Sequence, residues 1–274
     1  TSVTDCLADA GHTGSGDSVR ACAAGTFKAD ALSASPCPSC PSHSSSVAGS
    51  TALNNCTAIA GYTGGGGNVT ACSGGTFKSS SLSSAACESC PVNSSSQPGA
   101  TDVRDCLADA GYTGSGSSVT ACAAGTFKAD ALSASPCSLC PPNSDSPAGS
   151  SSIFSCEADR GFTGSGSGVA ACQVGTFKEA ARSSASCTAC PSNSSTATAG
   201  SQSLSACMCN PGFEPDSSVG ECAPCPHGSW KATLGNDACG SCPSSSSSLP
   251  GATSVTDCLA DAGHTGSGDS VRAC

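Results

Sequence analysis

Cysteine recurs in this chain on a fixed period, and that period limits the fold more than any other feature. Cys6, Cys56, Cys106, Cys156, Cys207 and Cys258 are separated by steps of 50, 50, 50, 51 and 51 residues. Self-similarity at such a period marks an array of like units, each touching mainly its sequence neighbours. The first 22 residues, Thr1 to Cys22, return unchanged as Thr253 to Cys274. A fibre or stalk cut at an arbitrary point would carry such an overlap, so a filament is the first expectation. Little else is available to build a core. Aromatics make up 4% of the 274 residues, and Trp230 is the single tryptophan. Ala and Cys supply much of the apolar fraction, too little area to offset a backbone ordering cost of about 1–2 kcal/mol per residue. With 24 cysteines in the chain, disulfides are expected to hold it. That implies an oxidising, extracellular setting, secreted or on a cell-surface appendage.

Every copy follows one plan. After the opening cysteine comes Gly with a ring: Gly11-His12, Gly61-Tyr62, Gly111-Tyr112, Gly161-Phe162 and Gly212-Phe213. A second cysteine leads into Gly-Thr-Phe-Lys at 25–28, 75–78, 125–128 and 175–178, varied to Gly-Ser-Trp-Lys at 228–231. Cys-x-x-Cys-Pro follows, first at Cys37 to Pro41, then a Ser-rich tract, a Gly and the next opening cysteine. Cut at the second cysteine, the chain reads as the end of a preceding module (1–21) and modules 22–71, 72–121, 122–171, 172–224 and 225–274. Fixed glycines suit turns of positive φ, and the short β-prone runs suit short strands. No helical period is sustained. The expected fold is a set of small disulfide-rich modules, short β-hairpins and loops with little helix, in an elongated tandem-repeat array.

The copy opened by Cys207 alone carries two further cysteines, Cys209 and Cys222. They fall where the other copies have Ala8, Ala58, Ala108 and Ala158, and Val19, Val69, Val119 and Val169. Two cysteines gained together behave as a bonded pair, because one alone would leave a free thiol. Adjacency then gives Cys22–Cys37, Cys40–Cys56, Cys72–Cys87, Cys90–Cys106, Cys122–Cys137, Cys140–Cys156, Cys172–Cys187, Cys190–Cys207, Cys225–Cys239 and Cys242–Cys258. Cys6 and Cys274 are left over, expected to bond preceding and following segments. The crossed arrangement, Cys22–Cys40 with Cys37–Cys56, satisfies the same spacing.

The run Cys-x-x-Gly-Thr-Phe-Lys, then Cys-x-x-Cys-Pro-x-x-Ser-x-Ser, then Gly and Cys resembles the cysteine-rich modules of ephrin receptors, cousins of the tumour necrosis factor receptor repeats. Cys207-Met-Cys209-Asn-Pro-Gly-Phe213 fits that plan best, and the other copies lack one of its cysteine pairs. Ala- and Ser-rich versions in long arrays are similar to extracellular and flagellar-hair proteins of algae and other protists. The resemblance implies module type rather than function, since such modules occur in receptors, stalks and fibres alike.

Residues for chemistry are scarce. Cys222-x-x-Cys225 and Cys239-x-x-Cys242 have zinc-ribbon spacing, but the sibling copies keep only one of the two pairs, so bridges are the better reading. His12 shares its slot with Tyr62, Tyr112 and Phe162 and reads as a packing ring rather than a base. No nucleophile elbow or phosphate-binding loop is present. The lysine after each ring (Lys28, Lys78, Lys128, Lys178, Lys231) reads as a solvated head on a buried stem. A net charge of −10 repels a nucleic-acid backbone. No stretch of the sequence is apolar enough to span a bilayer, and any export signal is expected outside this stretch.

Covalent sugar is the one modification the sequence advertises. Sequons stand at Asn55, Asn68, Asn93 and Asn193. Ser44, Ser45, Ser46, Ser95, Ser96, Ser195, Thr196, Ser245, Ser246 and Ser247 lie in tracts suited to O-linked sugar. No metal, cofactor or catalytic residue is expected, only glycans. The expected function is structural: a secreted, glycosylated filament or shaft whose partners are copies of itself, along and across the assembly. The alternative is the stalk or ligand-binding ectodomain of a cell-surface receptor or adhesion protein.

Overall fold

The computed structural model describes residues 6–216 and 220–274. They form two compact units, one of 6–123, Phe127–Ser138 and Ala148–Ser152, the other of Ala124–Thr126, Leu139–Pro147, 153–216 and 220–274. Both are built the same way. Strands are two to four residues long and pair as antiparallel hairpins, and the helical turns are single three-residue 3-10 turns. It is a small disulfide-rich, mostly hairpin fold. Among the described residues no helix is long and apolar enough to cross a membrane.

In the first unit the segment opened by Cys56 shows the pattern. Thr57–Ala58 pairs on one side with Ser44–Ser45 and on the other with Tyr62–Gly65, which in turn pairs with Asn68–Ala71. Four consecutive glycines, Gly64 to Gly67, extend this hairpin; the next copy instead turns through the 3-10 segment Gly116–Ser118. Further along, Thr76–Phe77 pairs with Glu88–Ser89, and Ser94–Ser95 pairs with Leu107–Ala108. The Ser tracts are therefore strands that clasp the segment after the next opening cysteine. Their hydroxyls explain the Ser-x-Ser motif. Ser44 and Ser94 donate to the carbonyls of Pro41 and Pro91 in the turn, while Ser46 and Ser96 turn inward and donate to Thr26 and Thr76.

In the second unit the copy with the extra cysteines has a hairpin as long as that of Tyr62–Gly65 with Asn68–Ala71. Phe213–Asp216 pairs with Glu221–Pro224, with Pro215 opposite Cys222. Ser194–Thr196 pairs with Cys207–Cys209, so the variant copy is clasped over three residues where the plain copies are clasped over two.

The core is thin. In the first unit Phe77, Ala100 and Cys106 form a buried cluster, with Cys90 and Val103 packed against it, so the phenyl ring covers the Cys90–Cys106 bridge. Burying one such ring contributes about 1.5–3 kcal/mol, comparable with the roughly 3 kcal/mol expected from closing a 15-residue loop. One contact in each copy needs glycine. Gly61 has φ +79°, and a Cβ there would lie 2.4 Å from the carbonyl oxygen of Gly99. The same approach recurs between Gly161 and Gly200, at 2.2 Å. It brings the hairpin after the opening cysteine onto the turn before the next one.

Cys209 is buried, as are Ala58, Ala108 and Ala158 in the same slot. The double variant Cys209→Ala/Cys222→Val restores the pattern of the plain copies. It should fold with its other bridges intact and lose at most about 3 kcal/mol, the worth of one short loop closure. Thermal unfolding and non-reducing peptide mapping check both points.

Candidate functional site

The run Gly-Thr-Phe-Lys, whose Thr-Phe pair is a short strand, ends on a residue that the fold buries. All five lysines of the chain hold this position. Their exposures are 2% at Lys28, 2% at Lys78, 4% at Lys128, 4% at Lys178 and 5% at Lys231. The solvated lysine head expected from the sequence is thus overturned: stem and ammonium are both inside. An alternating strand would ordinarily push such a charge outward, but here the next loop folds over it. In Lys78 the main-chain N–H donates to Ala100 O and the carbonyl accepts from Gly61 N.

The ammonium itself gathers backbone carbonyls. Lys78 Nζ donates to Tyr62 O at 2.7 Å and Ser83 O at 2.7 Å, with Ala58 O at 3.4 Å. Lys128 repeats this with Tyr112 O at 2.8 Å, Ser133 O at 2.7 Å and Ala108 O at 3.2 Å. Lys28 takes His12 and Ser33, Lys178 takes Phe162, Ser183 and Ala158, and Lys231 takes Phe213 and Gly235. An ammonium has three donors and no acceptor, so it suits a point where three loops turn oxygens inward. Loss of water around the charge pulls Lys78 below the ordinary lysine value. The same desolvation lowers Lys178, opposed by the negative charges of Asp159 and Glu157.

Eleven bridges tie the hairpins together. Cys22–Cys37, Cys72–Cys87, Cys122–Cys137, Cys172–Cys187 and Cys225–Cys239 close loops inside the copies. Cys40–Cys56, Cys90–Cys106, Cys140–Cys156, Cys190–Cys207 and Cys242–Cys258 reach forward to the next opening cysteine. Cys209 is joined to Cys222. Cys222, Cys225, Cys239 and Cys242 therefore belong to three different bridges, and the crossed arrangement is not formed. Cys6 and Cys274 are exposed and make no bridge within this length of chain.

The glycan slots fall on shaped backbone. Asn93 and Asn193 have φ +63° and +59°, and the same turn is held by His43, Asn143 and Ser245. Asn tolerates this left-handed conformation better than most side chains, so the fold itself favours Asn there. Asn55 caps a 3-10 turn, its side-chain oxygen accepting from Thr51 N and Ala52 N. Asp105 does the same for Thr101 and Asp102, and those bonds hold its carboxyl below the usual range. Asn68 lies on a hairpin strand. All four sequon asparagines are exposed. Among the O-linked candidates Ser46, Ser96, Thr196 and Ser246 are buried. Their hydroxyls are engaged with backbone, which closes them to a transferase in the folded chain. Ser44, Ser45, Ser95, Ser195 and Ser247 are half-buried and Ser245 is exposed. One ring contact joins these features: His43 stacks on Tyr62, centroids 4.0 Å apart and planes 7° from parallel.

Tandem hairpins, forward-reaching bridges and caged lysines define a disulfide-rich module of the extracellular kind. Residues 165–207 and 212–258 match the family model described as tyrosine-protein kinase ephrin type A/B receptor-like. The tandem of paired disulfides fits the same cysteine-rich modules along the chain. No curated protein matches the chain. The matched model describes receptor-like cysteine-rich modules, and together with the eleven disulfides it points to an extracellular or cell-surface protein.

Two measurements test the cages. Amine-reactive acylation of the folded protein should mark the terminal amine and spare all five lysines, which become reactive once the chain is reduced and unfolded. Lys128→Met keeps the stem but takes the ammonium from the carbonyls of Tyr112 and Ser133 and leaves Ala108 O only its bond from Ser133 N, and should cost about 2–4 kcal/mol in denaturant unfolding. With the folded pKa of Lys78 and Lys178 below the unfolded one, the unfolded chain binds more protons between the two values. Their contribution to stability therefore rises with pH across that window.

Proposed function

We propose that the chain is a load-bearing length of a secreted, glycosylated filament or shaft. The observation that supports this reading is the route tension takes through the bridges. Between Cys22 and Cys72, the bridges Cys22–Cys37 and Cys40–Cys56 short-circuit two loops. Only three residues from Cys37 to Cys40 and sixteen from Cys56 to Cys72 carry the load. At about 3.5 Å per extended residue, that path holds roughly 67 Å of backbone against about 175 Å for the unbridged chain. Between Cys172 and Cys225 the third bridge leaves eight residues in the path, or about 28 Å of backbone. A repeated module with so little slack suits a mechanical element.

In the proposed assembly Cys6 meets a cysteine equivalent to Cys242, and Cys274 one equivalent to Cys37, on the same or an adjoining polypeptide. N-linked sugar on Asn55, Asn68, Asn93 and Asn193, and O-linked sugar on the more accessible serines, would cover a chain in which only 11% of residues are charged. A second reading, a ligand-binding ectodomain, is favoured by a cavity of about 370 Å³ in the variant copy, lined by Leu204, Cys209, Pro215, Glu221, Cys222 and Asn236.

Native material should give non-reduced peptides joining Cys6 and Cys274 to those partners, and a mass above the bare 26.0 kDa of this length. Free thiols at both positions in native material would remove the filament. In single-molecule stretching, reduction should roughly double the contour length of the segment from Cys22 to Cys72.

A further inference from the structure

The turn after Cys-Pro and the ring that follows the next opening cysteine are locked together in every copy. The carbonyl of His43 accepts from Ile59 N, and Ile59 O accepts from Tyr62 N. Asn93 stands in the same relation to Asp109 and Tyr112, Asn143 to Asp159 and Phe162, Asn193 to Asn210 and Phe213, and Ser245 to Asp261 and His264. The turn residue has φ between +59° and +63° in all five. Its Cβ therefore leaves the backbone in the same direction relative to the ring each time. In the first copy that direction is visible, because the imidazole of His43 lies flat on Tyr62 at 4.0 Å. A flat group attached at this position is delivered onto the ring face.

In two later copies the position holds Asn93 and Asn193, both exposed and both in sequons, opposite the half-buried Tyr112 and Phe213. We propose that the rings are platforms for sugar: the first N-linked residue on Asn93 lies on Tyr112, and that on Asn193 lies on Phe213. The electropositive C–H face of a pyranose meets the electronegative face of the aromatic ring, taking the place of the imidazole. Asn193 Nδ2 already donates to Cys222 O at 3.4 Å. Cys222 belongs to the strand Glu221–Pro224 that pairs with Phe213–Asp216. A glycosylated amide keeps one N–H, so this bond can persist and hold the sugar beside the ring. Asn143 stands in the same frame opposite Phe162, but Asp145 replaces the hydroxyl its sequon needs. The platform is thus the same in each copy, and the sequon decides where it is used.

This inference rests on the glycan reading, and the test separates the two. Glycopeptide mapping of the full glycoprotein establishes occupancy of Asn93 and Asn193; bare asparagines at both overturn the glycan reading and this proposal with it. On occupied protein trimmed to the sugar attached to asparagine, the C–H protons of that sugar should be shifted upfield by the ring current in NMR spectra. The shift at Asn93 should vanish in Tyr112→Ala, and also in Tyr112→Leu, which keeps an apolar filler should the alanine variant fail to fold. Enzymatic removal of the sugar should lower Tm in the parent chain and lower it less in Tyr112→Leu, where only the Asn193 sugar still has its ring. Asp145→Ser should bring a new sugar to Asn143 with the same upfield shift from Phe162. Occupied asparagines with unshifted sugar protons would overturn the stacking alone.

Discussion

A lysine ammonium enclosed by backbone carbonyls is the interaction on which each copy depends. Three stretches meet at Lys78: the segment after the opening cysteine at Ala58, the hairpin at Tyr62, and the loop at Ser83. Their oxygens point inward, where no water competes, and an unmet carbonyl in such a place costs about 1–3 kcal/mol. The lysine answers several at once with a single charge. Its counterpart is a set of backbone dipoles rather than one carboxylate, so no acid needs to be carried along with it. The desolvation that lowers Lys78 is the cost of this arrangement.

The cage explains how a chain with so few large apolar groups folds at all. Around each lysine the hairpins are short, the ring clusters small, and the bridges close loops of 13 to 17 residues. None of these would hold a module alone. Together they fix the same few strands from three directions: covalent links, a buried charge, and a glycine contact too close for any side chain. The forward-reaching bridges also make each copy complete its neighbour. Cys56, Cys106 and Cys156, each bonded to a preceding copy, have no exposed surface, whereas Cys6 is exposed.

Much of the fold was legible in the cysteines and glycines, because their spacing is forced by geometry that tolerates no substitute. The paired appearance of Cys209 and Cys222 pointed to one another, and the structure joins the strand Cys207–Cys209 to the strand Glu221–Pro224 through them. The lysine was visible as a repeat but was read as a surface residue, since a charged side chain is ordinarily exposed unless something unseen accepts its protons. What accepts them here is main chain, which has no signature in the sequence. The inward serines were obscure for the same reason. Ser46 bonds the carbonyl of Thr26, and nothing about Thr26 as a residue type announces that. Asn93 and Asn193 were legible as sequons, but not as left-handed turns that favour Asn on conformational grounds.

The burial of every lysine has a consequence for digestion. A protease that cuts after basic residues finds only Arg20, Arg104, Arg160, Arg182 and Arg272 on the surface. Arg104 lies in the loop closed by Cys90 and Cys106, and Arg182 in the loop closed by Cys172 and Cys187. A nick at either leaves the two sides joined through sulfur. Arg160 falls between Cys156 and Cys172, where no bridge spans the cut. Between Cys22 and Cys258, then, Arg160 is the only basic residue on the surface at which a single cut can part the chain.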